Sequence, residues 1–176
     1  LDKSGNYYLS IFNNTIGENN TEIQFDIAFG DKLGRGAVAY NANVSQENTY
    51  SKTIYGQYRS LLLEDEGLDF KGVTQESFYV LSIARARYKE KLLPGSFTMI
   101  LSGSGDSNTN LHLTDNSLDV PVPSYIGSQR AYQIVSGSDG TAHSGTGYTS
   151  QSGSYGLFLP DTGTLILNAA ALDLNN

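Results

Sequence analysis

Hydrophobic and polar positions change period several times along this chain, and each change marks an element. From Thr21 to Phe29 the alternation is strict, with Ile23, Phe25, Ile27 and Phe29 on one side and Glu22, Gln24 and Asp26 on the other. That is the pattern of a half-buried strand. Residues 6–13 (Asn-Tyr-Tyr-Leu-Ser-Ile-Phe-Asn) predict an earlier strand, closed by the turn-prone Asn13-Asn14. Gly30-Asp31-Lys32-Leu33-Gly34 reads as a turn, and Ala37-Val38-Ala39-Tyr40 as the returning strand. At 52–64 the period lengthens: Ile54, Tyr55, Tyr58, Leu61 and Leu62 recur at three- and four-residue spacing, which predicts a short helix with one apolar stripe. Gly56 weakens that helix, and the acids Glu64, Asp65 and Glu66 sit unfavourably at its negative end.

The second half returns to strands. Phe78 to Ala84 reads as a buried strand, the Leu92-Leu93-Pro94-Gly95 stretch as a turn, and Ser96 to Leu101 as the next strand. Asn110–Leu113 and Tyr132–Val135 are short strand candidates between two Ser/Gly/Asn-rich stretches, 102–110 and 136–154, that read as loops. Residues 155–159 and 164–167 predict a hairpin around Pro160-Asp161-Thr162-Gly163. The fold class expected is mainly β: a β-sandwich or barrel-like module with one short helix near residues 52–64, forming a single domain over 1–176. Composition agrees, since 19 Gly and 12 Tyr against one Met and no Trp favour strands and turns. Leu1 at the start and Asn176 at the end suggest a processed or ordered piece of a longer polypeptide.

A net charge of −7 argues against nucleic-acid binding, which needs a positive footprint. No apolar run approaches the roughly 20 residues of a membrane-spanning helix. Without cysteine, disulfides and thiolate metal sites are excluded. Three Asn-x-Ser/Thr triplets begin at Asn13, Asn19 and Asn43, matching a glycosylation pattern that an Asn-rich chain supplies by chance.

Several short motifs invite sharper readings. Leu159-Pro-Asp-Thr-Gly163 matches a sortase signal, yet Asn168 interrupts the apolar stretch that follows and no basic tail appears. Asp161-Thr162-Gly163 is also the aspartic-protease triplet, whose chemistry needs two carboxylates sharing a proton, and one chain holds one such triplet. We read both as a turn. Asp106-Ser-Asn108-Thr-Asn110 alternates oxygen ligands like a calcium loop but lacks its glycine and its bidentate glutamate. His112 and His143 lie in no ligand or triad pattern, and Gly127-Ser-Gln and Gly145-Thr-Gly lack phosphate-loop framing. No nucleophile, base and orienting group come together, so we expect no enzyme, no cofactor and no small-molecule substrate.

The basic residues are more informative. Arg85, Arg87, Lys89 and Lys91 fall on odd positions, so a continuing strand carries all four on one face. They are four of 11 cationic residues, and such a face serves either as a solvated surface or as a charged docking surface for a neighbouring subunit. Together with Ile54-Tyr-Gly-Gln-Tyr58-Arg59-Ser-Leu-Leu-Leu63, the run Arg85-Ala-Arg87-Tyr-Lys89-Glu-Lys91-Leu with Pro94-Gly95, and the Tyr155–Asn168 ending, the chain resembles virion structural proteins of tailed bacteriophages, especially the T-even-type cyanophage myoviruses. That resemblance spans roughly residues 50–170 and brings no catalytic residues. It implies a structural component of the virion, in the tail or baseplate before neck or head surface. Its partners are then other virion proteins in a symmetric homo- or hetero-oligomer, with Arg85, Arg87, Lys89, Lys91, Tyr55, Tyr58 and Arg59 as contact residues. Tyr suits such interfaces, giving contact area at low entropy cost, and the Ser/Gly loops are expected to order against neighbouring chains. A cell-surface adhesin or carbohydrate-binding β-sandwich is the alternative that the Asn/Thr/Ser/Tyr composition suggests.

Overall fold

Strict alternation at 21–29 does produce a strand, Ile23–Asp31 (β2), in a computed structural model that describes residues 7–36, 49–64, 76–102, 110–143 and 155–173. The expected return strand at 37–40, Asp106 to Thr109 of the calcium-like loop, Gly145-Thr-Gly and most of both Ser/Gly stretches lie outside the described residues. Ahead of β2 runs β1 (Tyr8–Phe12) and after it α1 (Tyr50–Leu63). Then come β3 (Ser77–Ile83), a 3-10 turn (Arg85–Arg87), β4 (Thr98–Leu101), β5 (Leu111–Asp115), β6 (Ser124–Ile126), β7 (Gln129–Ser138) and β8 (Thr141–Ala142). The hairpin β9 (Gly156–Leu159) and β10 (Thr164–Asn168) follows, and then a short helix α2 (Ala169–Asp173).

All pairings are antiparallel, and the main sheet runs β1-β2-β3-β10-β9-β7-β5-β4, with β6 and β8 paired to β7. The sheet curls, because residues from its two ends share one buried cluster. Phe25 and Ile27 of β2 pack with Leu81, Phe158, Ile134 and Leu113 and with Met99 of β4 on the inner face. Phe97 stacks on the fully buried Phe158 there, ring centroids 5.6 Å apart. The mainly β, barrel-like architecture is therefore what the chain adopts, with the expected helix as α1 and the five-residue α2 in addition.

Helix α1 lies on the outer face. Its Tyr55, Leu62 and Leu63 pack against Phe78 and Val80 of β3, Leu157 and Leu159 of β9 and Ile166 of β10. Close approach to β2 is made by Gly30, where a Cβ would sit 2.8 Å from the Phe78 ring and 3.1 Å from the Tyr55 amide. Its stripe is rotated relative to the expectation: Ser51, Ile54, Tyr55, Leu62 and Leu63 are buried, while Leu61 is 67% exposed. The awkward acid end resolves locally. Glu64 takes the left-handed conformation (φ 58°), its amide reaches Ser60 O, and its carboxylate accepts from the Ser128 hydroxyl at 2.6 Å and, more weakly, the Ser128 amide. Those bonds hold the Glu64 carboxyl below its ordinary range.

Two polar side chains carry most of the turn architecture. Asp31, buried at the end of β2, accepts from the amides of Leu33 and Arg35 and from Arg35 Nε, and Arg35 also reaches Glu76. Asp115, fully buried at the end of β5, accepts from the amides of Gly95 (2.8 Å) and Ser117 (3.3 Å) and from the Ser117 hydroxyl. The 136–154 loop expectation fails at its start. Ser136–Ser138 belong to β7, and a two-residue turn with Asp139 (φ 48°) and Gly140 (φ 74°) sends the chain back as β8. Positive φ at both centres marks a type I′ hairpin turn.

Candidate functional site

The basic segment does not continue as a strand. β3 ends at Ile83, and Arg85–Arg87 form a 3-10 turn, so Arg85, Arg87, Lys89 and Lys91 do not share a strand face. The local contacts explain the break. Arg85 Nη1 donates to Tyr88 O at 2.6 Å and its guanidinium lies over the Tyr88 ring, 4.6 Å from the centroid. Arg87 pairs with Glu22. Tyr88 donates its hydroxyl to Thr162 O at 2.9 Å, across the mouth of the β9–β10 hairpin. Gly163 (φ 63°) closes that contact, for a Cβ there would lie 2.6 Å from the Tyr88 ring. Lys89 and Lys91 remain exposed at the surface.

The Leu159–Gly163 stretch is a locked turn. Leu159 and Pro160 are buried, Leu92 N donates to Pro160 O at 2.9 Å, and Ile83 N donates to Gly163 O at 2.9 Å. Asp161 receives both Arg130 Nε (2.8 Å) and Arg130 Nη2 in a fork-like pair. Arg130 thus holds the Asp161 carboxyl below its ordinary range despite some opposing burial, and Asp161 in turn raises Arg130. This pentapeptide is thus folded into the rim of the core, as the turn reading expects.

The three expected contact residues of α1 separate. Tyr55, 2% exposed, stacks on Phe78 with centroids 5.1 Å apart, so it is a core residue and not an outer surface. Arg59 lies 5.8 Å from the Tyr55 ring centroid, and its buried Nε has no partner among the described residues. Tyr58 faces a cleft that the sequence did not reveal.

That cleft lies where the helix meets the sheet. α1 packs across β2 as well as β3, β10 and β9, and the cleft opens between it, β2 and the edge strand β1. A cavity of about 490 Å³ opens there, within the roughly 300–1,000 Å³ of small-molecule sites. Tyr8, Asp26 and Ser82 form the floor, and Tyr50, Gln57 and Tyr58 the helical wall. Tyr8 sits opposite Ala28, and Asp26 opposite both Ser10 and Ser82, so pairing register alone collects these side chains on one face. Ser10 donates to Asp26 Oδ1 at 2.6 Å. The hydroxyls of Tyr58 and Ser82 are 3.1 Å apart. At the rim, Tyr7 and Tyr50 lie against each other, centroids 4.1 Å apart. Their hydroxyl hydrogen bond, aided by burial, pushes the Tyr7 phenol above its ordinary range. Strand alternation places Asp26 on the polar face of β2 but does not say what covers that face. No three His, Asp or Glu side chains gather as a metal site among the described residues, and no described helix is long and apolar enough to cross a membrane.

No protein-family model matches this chain, and neither do curated proteins or solved structures.

Proposed function

We propose that this chain is a non-enzymatic structural component of a tailed-phage virion, in the tail or baseplate, that acts through contacts with other virion proteins. The observation that carries this reading is the composition of one edge of the sheet among the described residues. β1 is an edge strand, and Tyr7, Tyr8, Leu9, Ile16 and Ile23 along it and its hairpin are all at least 40% exposed. An exposed apolar edge strand is a template for pairing with another chain. The resemblance of residues 54–63, 78–95 and 155–168 to virion structural proteins supports the same reading, as does the exposed Lys89 and Lys91 pair. The test is direct. Particles purified from the phage carrying this gene should contain the protein by mass spectrometry, and the Leu9→Lys variant should be excluded from them while folding normally. A stable monomer that never enters particles refutes the proposal.

A further inference from the structure

We infer that the cleft between α1 and the β1–β2 hairpin binds a neutral saccharide of one or two pyranose units. This stands independently of the virion reading: it rests on the chemistry of the lining, which sorts ligand classes by what each needs.

An anion is disfavoured, because no Lys or Arg lines the cavity among the described residues and Asp26 stands on its floor. A purely apolar ligand is disfavoured too, since it covers the Asp26 carboxylate and the Gln57 amide without offering either a bond. A compact cation gains from Asp26 and from aromatic faces. However, Tyr7 and Tyr50 are spent against each other as one tilted pair, not set as opposed walls of a cage, and Ser10 already occupies Asp26 Oδ1. What remains is a ligand with both apolar faces and hydroxyls that donate and accept. A pyranose meets each demand. Its C–H face lies on the electron-rich Tyr rings, one hydroxyl donates to the Asp26 carboxylate, and others exchange bonds with Gln57 and the Tyr58–Ser82 hydroxyl pair. Because the register of β1, β2 and β3 sets the floor and a packed helix sets the wall, these groups are held before the ligand arrives.

Saturation-transfer NMR and calorimetry on the full chain test this with glucose, galactose, mannose, N-acetylglucosamine, maltose and lactose. Tetramethylammonium and inorganic phosphate serve as charged comparators. At least one neutral sugar should bind with Kd on the order of 1 mM or tighter. Asp26→Asn and Tyr50→Ala should each weaken it by about tenfold or more, and Leu61→Ser, outside the cleft, should leave it unchanged. Tyr50 is 41% exposed in the first helical turn, so its truncation is tolerated. Should Asp26→Asn unfold the protein, Gln57→Ala on the exposed helix surface gives the same readout. No sugar binding up to on the order of 10 mM, binding of tetramethylammonium or phosphate in place of sugars, or sugar binding indifferent to the cleft variants overturns the proposal. Absence of the protein from phage particles leaves it untouched.

Discussion

Replacing Asp115 with alanine removes an acceptor that joins the 93–96 turn to the end of β5. The carboxylate is fully buried, and its Oδ2 receives the Gly95 amide, the Ser117 amide and the Ser117 hydroxyl. In Asp115→Ala the hydroxyl can rotate to another acceptor, but the two amides cannot move. Each orphaned buried donor costs about 1–3 kcal/mol. Gly95 is only half-buried and recovers part of its bond from water, so we expect a loss of roughly 2–4 kcal/mol. Against a typical total of about 5–15 kcal/mol that is a large fraction. Asp115→Asn keeps an acceptor oxygen and should cost less, about 1 kcal/mol, the difference between a charge-assisted and a neutral bond. Urea denaturation read by circular dichroism measures both, with the slope checked for constancy. An alanine variant within about 0.5 kcal/mol of wild type, the range of ordinary surface changes, refutes the reasoning.

Three further outcomes follow from packing and charge. Phe158→Ala should cost about 3–5 kcal/mol, because the ring is fully buried and stacked on Phe97; thermal unfolding measures it, and Phe158→Leu should recover most of the loss. Gly156→Ala should prevent folding at physiological temperature, since φ is 153° and the new Cβ collides with the Ile166 carbonyl of the neighbouring strand; loss of cooperative unfolding reports it. Asp161→Asn should lower the melting temperature modestly, the ion pair being about one-third exposed. Because the folded carboxyl is lowered, the wild-type advantage is full above the ordinary aspartate value of about 4 and is lost as pH falls through the lowered one. An equal melting difference at pH 7 and in the acid limb contradicts this account.

Local periodicity made much of this architecture legible. Alternation at 23–29 located β2, and the 155–168 pattern located the β9–β10 hairpin with its Pro160–Gly163 turn. Where the reading failed, distant contacts decided. Arg85–Lys91 has a strand-like alternation of charge, but Tyr88 is drawn to Thr162, 74 residues away, and the backbone turns to allow it. Asp115 sits in a polar Thr-Asp-Asn-Ser run with no local sign of burial, and its partner Gly95 lies 20 residues upstream. The Asp139-Gly140 hairpin is different. Its signal was local and present, but the Ser/Gly composition around it outweighed a specific dipeptide. The cleft was not legible because Asp26 and Tyr58 come to line one cavity only once α1 settles on β2.

The position of β10 has a consequence for how the chain is made. It lies between β3 and β9, and through β9 it joins the β1–β3 portion to β7, β5 and β4. Until that strand leaves the ribosome, the earlier portion carries β3 with an open inner edge and the middle portion waits on its own partner. Folding therefore completes late, with long loops closed at the end, the regime in which assembly is slow and unpaired edges invite misassociation. A chain truncated before Thr164 should be protease-sensitive throughout, and restoring residues 164–173 should convert it, in one cooperative step, into a resistant body.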